Sequence, residues 1–126
     1  MSRRTLIPVA ALLAALLTAS LIAAPDGEAR RKPTSKERAA IARAMDRPAR
    51  CLFIRVSTVS RRWASVRLRN RKRSCARYAA DGVGVFRKRK DGRWRFVTAG
   101  SAFDCPVPNV PRRVQRDLRI PCMPTG

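Results

Sequence analysis

Residues 51–69 read CLFIRVSTVSRRWASVRLR. Leu52, Ile54 and Val56 alternate with Phe53, Arg55 and Ser57; after a polar break at Ser60, Arg61 and Arg62, the residues Ala64, Val66 and Leu68 alternate with Ser65, Arg67 and Arg69. A period of two predicts two half-buried strands, over 51–59 and 63–69, joined by a turn. Arg55, Arg67 and Arg69 then belong to the solvent face. The opposite, apolar face needs a cover, and the preceding segment offers one. Thr34 stands three residues before Glu37, the spacing of a capping box. Ala40, Ile41, Ala44 and Met45 share one helical face, with Lys36, Arg38 and Arg43 largely outside it, so an amphipathic helix is expected over 34–46, closed by Pro48.

Downstream, residues 70–74 (NRKRS) read as a basic loop ending at Cys75, and residues 79–82 (AADG) as a turn. Residues 83–88 and 93–99 form a hairpin joined through Arg89, Lys90, Asp91 and Gly92, where Asp-Gly provides the positive φ of a tight connection. Val85, Trp94 and Phe96 supply its apolar positions and Arg87, Arg93 and Arg95 its polar ones. Prolines 106, 108 and 111 exclude a central strand, while Pro111 can open a short helix capped by Asn109, with Val114 and Leu118 one turn apart. The expected fold class is α+β: an N-terminal helix packed on a four-stranded antiparallel sheet, with a short C-terminal helical turn.

Residues 1–29 have the layout of an export signal. Arg3 and Arg4 form a positive start, residues 6–24 are an uncharged apolar run, and Gly27-Glu28-Ala29 is the favoured cleavage site. An uncleaved membrane anchor is the alternative, since the run almost spans a bilayer. Cleavage leaves roughly 100 residues, read as a basic linker at 30–33 and one small domain at 34–126. A domain of this size has a marginal core and benefits from covalent staples. Four cysteines lie beyond the signal: Cys51, Cys75, Cys105 and Cys122. In an exported chain they read as two disulfides among three connectivities, and closeness in sequence favours Cys105 with Cys122 and hence Cys51 with Cys75. Zinc is disfavoured, because no C-x-x-C occurs and histidine is absent.

The same absence of histidine removes Ser-His-Asp and Cys-His arrangements and the usual base near neutral pH. Glu37 is engaged by the helix cap and Asp91 by the hairpin turn. Asp46 and Asp117 lie beside arginines and are expected to be ion-paired, and a carboxylate pair such as Asp81 with Asp104 is what a hydrolase reading would need, a reading the sequence disfavours. Gly82-Val83-Gly84 lacks the third glycine and following helix of a phosphate loop. No enzymatic activity and no cofactor or metal is therefore expected.

Charge is the positive signal. Twenty-nine Lys and Arg against eight Asp and Glu give a formal net charge of +21, a field that attracts polyanions and opposes self-association; a monomer is expected. Arginine suits bidentate phosphate and carboxylate contacts, although a GC-rich coding sequence gives the same composition. Arg67, Arg69, Arg71, Lys72 and Arg73 form one basic cluster; Arg87, Lys88, Arg89, Lys90, Arg93 and Arg95 form the other. Trp63 shares the parity of Arg67 and Arg69. It either stacks on a base or sugar ring or covers the edge of the core, and the core role is favoured.

The capped helix, the run V-S-T-V-S-R-R-W-A-S-V, the hairpin G-R-W-R-F-V and the closing P-x-x-V-x-x-D-L-x-x-x-C resemble a group of short exported bacterial proteins of uncharacterised function, over residues 34–122. The layout is similar to cystatin-like and nuclear-transport-factor-like folds, in which a helix crosses an antiparallel sheet. The Q-x-V-x-G loop of a cystatin inhibitor is missing. Since those folds host inhibitors, binding modules and enzymes alike, the resemblance bears on fold and not on function. The functional expectation is a non-enzymatic secreted or periplasmic module for an anionic partner: an envelope polymer, nucleic acid without a specific site, or an acidic protein. Membrane contact is expected only through the signal segment. The alternative is a secreted cationic antimicrobial or membrane-active effector, disfavoured because the one amphipathic helix is short and the charge lies on strands.

Overall fold

The computed structural model describes residues 30–69, 71–78 and 80–125; the export-signal reading of 1–29 lies outside them. The elements run β1 (Arg30–Arg31), α1 (Ser35–Met45), β2 (Leu52–Ser57), β3 (Trp63–Leu68), β4 (Val83–Lys88), β5 (Trp94–Gly100) and α2 (Arg112–Asp117), with short 3-10 turns at Ala49–Cys51 and Arg73–Tyr78. All strand pairs are antiparallel, in the order β1-β2-β3-β4-β5. The sheet is five-stranded, not four-stranded. The additional strand comes from the stretch read as a basic linker: Arg30 lies opposite Ser57 and Arg31 opposite Val56. Two residues are too few to show a period, so pairing with β2 is decided by the neighbour.

Helix α1 starts as its sequence dictates. Glu37 N–H donates to Thr34 Oγ1 at 3.1 Å, and the Thr34 hydroxyl donates in turn to Glu37 Oε1 at 3.1 Å. The other carboxylate oxygen takes Arg31 Nη2 at 3.0 Å, tying β1 to the helix start. Asp46, at φ 52, ends the helix in the left-handed region that Asp tolerates better than most residues. The buried stripe is centred on Ile41 and Ala42, with Ala40 and Met45 partly buried and Ala44 exposed.

The two sheet faces have different covers. Leu52, Ile54, Val56, Ala64, Val66, Phe86 and Trp94 pack with Ile41 and Ala42 under α1. On the other face, Trp63 and Val85 pack with Phe103, Val107, Val110, Val114, Leu118 and Ile120 from the C-terminal segment. Helix and C-terminal segment thus sandwich the sheet. Helix α2 begins without a side-chain cap, and Asn109, read as that cap, occupies a left-handed turn at φ 64.

Cys51 is bonded to Cys75 and Cys105 to Cys122, with Cα separations of 5.4 and 5.6 Å. This is the connectivity that sequence proximity favours. Two disulfides suggest an oxidising, extracytoplasmic setting, where such bonds form and persist. In the β4–β5 connection, Gly92 has φ 86, its N–H donates to Arg89 O at 3.0 Å, and Asp91 Oδ1 accepts Arg93 N–H at 3.0 Å. Gly82 has φ 105, and a Cβ there would lie 2.6 Å from Gly100 O. Only glycine meets both demands. One register slip places an extra residue, Val97, in β5 beside the second core.

Candidate anion-binding surface

Strand register gathers one of the two predicted basic clusters into a cleft. Trp63 lies opposite Arg87, and Arg87 opposite Arg95. Arg62, at the entry to β3, accepts Lys88 N–H at its carbonyl at 2.7 Å. The side chains of Arg62, Arg87, Lys88, Arg89, Lys90 and Arg95 consequently line one cleft of about 200 Å³. No carboxylate and no apolar side chain lines it. Like charges directly opposite on neighbouring strands repel, so the cleft holds positive charge at a cost to the fold. Arg93, predicted with this cluster, lies instead beside α1, lining a larger cavity with Glu37, Asp91 and Trp94. Asp91 stands 3.9 Å from Arg89 Nε and 4.0 Å from Arg93 Nε. These contacts are long and solvent-exposed, and neutralise little.

The other predicted cluster is divided. Arg67, Arg69 and Arg71 line a cavity of about 570 Å³ with Phe53 and Leu68. Lys72 and Arg73 are exposed at the approach to Cys75 and are not part of that lining. Phe53 sits opposite Arg67, and its ring is covered by the guanidinium of Arg55 at 4.4 Å and of Arg69 at 5.2 Å. Those contacts hold two arginines against the sheet as cation-π pairs. Trp63 has its ring buried at 5% exposure, in contact with the second core, with Arg87 5.5 Å above it. The ring therefore offers no open face to a base or sugar.

The carboxylates lie elsewhere. Asp117, expected to pair with arginine, is buried and accepts from neutral donors: the Ser57 hydroxyl, Thr58 N–H at 2.7 Å, the Thr58 hydroxyl at 3.1 Å and Val59 N–H at 3.3 Å. This fastens α2 to the β2–β3 turn. Asp81 and Asp104 are both exposed. Among the described residues no group of three or more Cys, Asp or Glu side chains is placed to hold a metal ion.

Sequence reasoning missed Arg62, which joins the cleft only through the β3–β4 register. That register is set across a long connection and leaves no local pattern. It also missed Arg112, Arg116 and Arg119, which line a separate pocket beside the Cys105–Cys122 bridge. Spaced at four and three residues they mark one side of a short helix and its exit, and that spacing was the available signal. No protein-family model, curated protein or solved structure matches this chain.

Proposed function

We propose that this protein is a non-enzymatic, secreted or periplasmic binding module for an anionic polymer or acidic protein, acting as a monomer. One observation carries the reading: six cationic side chains around a single cleft with no acid among them. Guanidinium forks match phosphate, sulfate and carboxylate oxygens bidentately. A bound polyanion would relieve the Arg87–Arg95 repulsion, so ligand binding and fold stability are linked.

Heparin and a short DNA duplex are suitable probes, titrated against salt. Removing two cleft cations in Arg87→Ala/Arg95→Ala is expected to weaken binding and to flatten the logarithmic salt dependence for DNA by about two, at roughly 0.9 per phosphate contact. The control Arg67→Ala/Arg69→Ala loses the same net charge away from the cleft and is expected to change it less. Equal losses in the two variants would show that net charge alone drives binding, and would overturn the assignment to the cleft.

A further inference from the structure

The C-terminal segment holds a pocket of a different chemical character. Its volume is about 310 Å³; Pro106, Ile120 and the Cys105–Cys122 bridge give it an apolar side, and Arg112, Arg116 and Arg119 give it a cationic one. Among the described residues, no carboxylate pairs with any of these three arginines. The volume is at the lower end of small-molecule sites.

The walls are fixed before any ligand arrives. The Gln115 carboxamide accepts Val107 N–H at 3.0 Å and donates to Val107 O at 3.1 Å and Val110 O at 2.7 Å, so it braces the loop. The disulfide and the backbone pairing of Phe103 with residues 121 and 123 hold the opposite side.

Arg119 occupies an unusual position. Helix α2 ends with Ile120 N–H donating to Gln115 O at 3.1 Å and Arg119 N–H donating to Arg116 O at 3.1 Å, with Arg119 at φ 52. This is the termination in which glycine is the favoured residue at the left-handed position. The other two non-glycine residues at positive φ are Asp46 and Asn109, types that tolerate it. Arginine has no such excuse on backbone grounds. Its presence there sets a third guanidinium beside the two that stand one turn apart on α2.

We propose that this pocket binds a small amphiphilic anion, its apolar body against Pro106, Ile120 and the disulfide and its oxyanion head held by Arg112, Arg116 and Arg119. An acid-free cationic rim selects the head, and the apolar side excludes purely hydrophilic anions from equal affinity. The site is separate from the β3–β5 cleft and does not depend on it.

The test uses the oxidised protein and three probes: octanoate, acetate and octanol, at about 0.15 M salt to screen loose charge attraction. Binding is followed by backbone amide shifts. Octanoate is expected to saturate, to move the amides of residues 115–122, and to bind about tenfold tighter than acetate or octanol. Arg119→Gly is expected to keep or raise the thermal midpoint, because glycine suits the left-handed turn, while weakening octanoate about tenfold through loss of a charge-assisted contact. Arg116→Gln, which leaves that turn untouched, should weaken it similarly. The proposal is overturned if octanoate binds no tighter than acetate, if the shifts centre on residues 87–95, or if both variants retain full affinity.

Discussion

The two faces of the sheet bury comparable apolar side chains by different means. Under α1, three successive alternate positions of β2 and two of β3 are fully enclosed by a helix whose cap, stripe and stop are local in sequence. On the opposite face, enclosure is partial. The C-terminal segment covers Trp63, Val85 and Val97, while Arg67 and Arg69 stay exposed and Phe53 lies beneath guanidiniums. This cover has only one six-residue helix and depends on the Cys105–Cys122 bridge, the Asp117 contacts and the Gln115 clamp. A helix can supply its own backbone hydrogen bonds, whereas an irregular segment needs side chains and covalent links to do that work. Among the described residues, the arginine-lined hollows formed by residues 62–95, by residues 53–71 and by residues 105–122 lie along strands, turns and the irregular cover.

Substitution tests this contrast most strongly at Trp63. Replacement of a buried Trp by Ala in a packed core costs about 4 kcal/mol, and Trp63→Ala is expected to be as damaging as Ile54→Ala on the helix-covered face, measured by denaturant midpoint. A cost below about 1 kcal/mol, typical of surface positions, would mean that the C-terminal segment does not form a core there.

Removal of the bridge in Cys105→Ser/Cys122→Ser, which span 17 residues, is expected to cost about 3 kcal/mol on loop entropy. Each face contains one tryptophan: Trp94 under α1 and Trp63 under the C-terminal segment. Single-tryptophan variants should show Trp63 emission moving to the red when the bridge is lost, with Trp94 emission unchanged. Parallel shifts would show that the two covers come loose together.

The smallest effect concerns Asp117. Asp117→Ala strands the donors of residues 57–59, of which Thr58 and Val59 can recover water, so about 2 kcal/mol is expected. Faster amide exchange at Thr58 and Val59 than in α1 would mark the loss as local to this fastening.

Much of the fold was legible in short-range pattern. Thr34 and Glu37 marked the start of α1, Asp91 and Gly92 the hairpin, and the alternation over 52–68 the face that α1 covers. The two-residue β1 was not, because pairing to Ser57 and Val56 is a property of β2's free edge. Asp117 was misread as an ion-pair partner because its donors lie some sixty positions upstream. Of the candidate sites, the run from Arg87 to Lys90 was visible as charge, and the addition of Arg62 was not.

By itself, the sequence determined α1, the β2–β3 and β4–β5 strand pairs and an excess of positive charge, and favoured one cysteine pairing among three. Each depends on neighbours within a few turns or on simple composition. Tertiary structure decided which face the C-terminal segment covers, which arginines converge without a carboxylate, and that Arg119 stands where glycine would end the helix with least strain. Those outcomes depend on strand register and on contacts between distant segments, and alternation defines which residues share a face without saying what will lie against it.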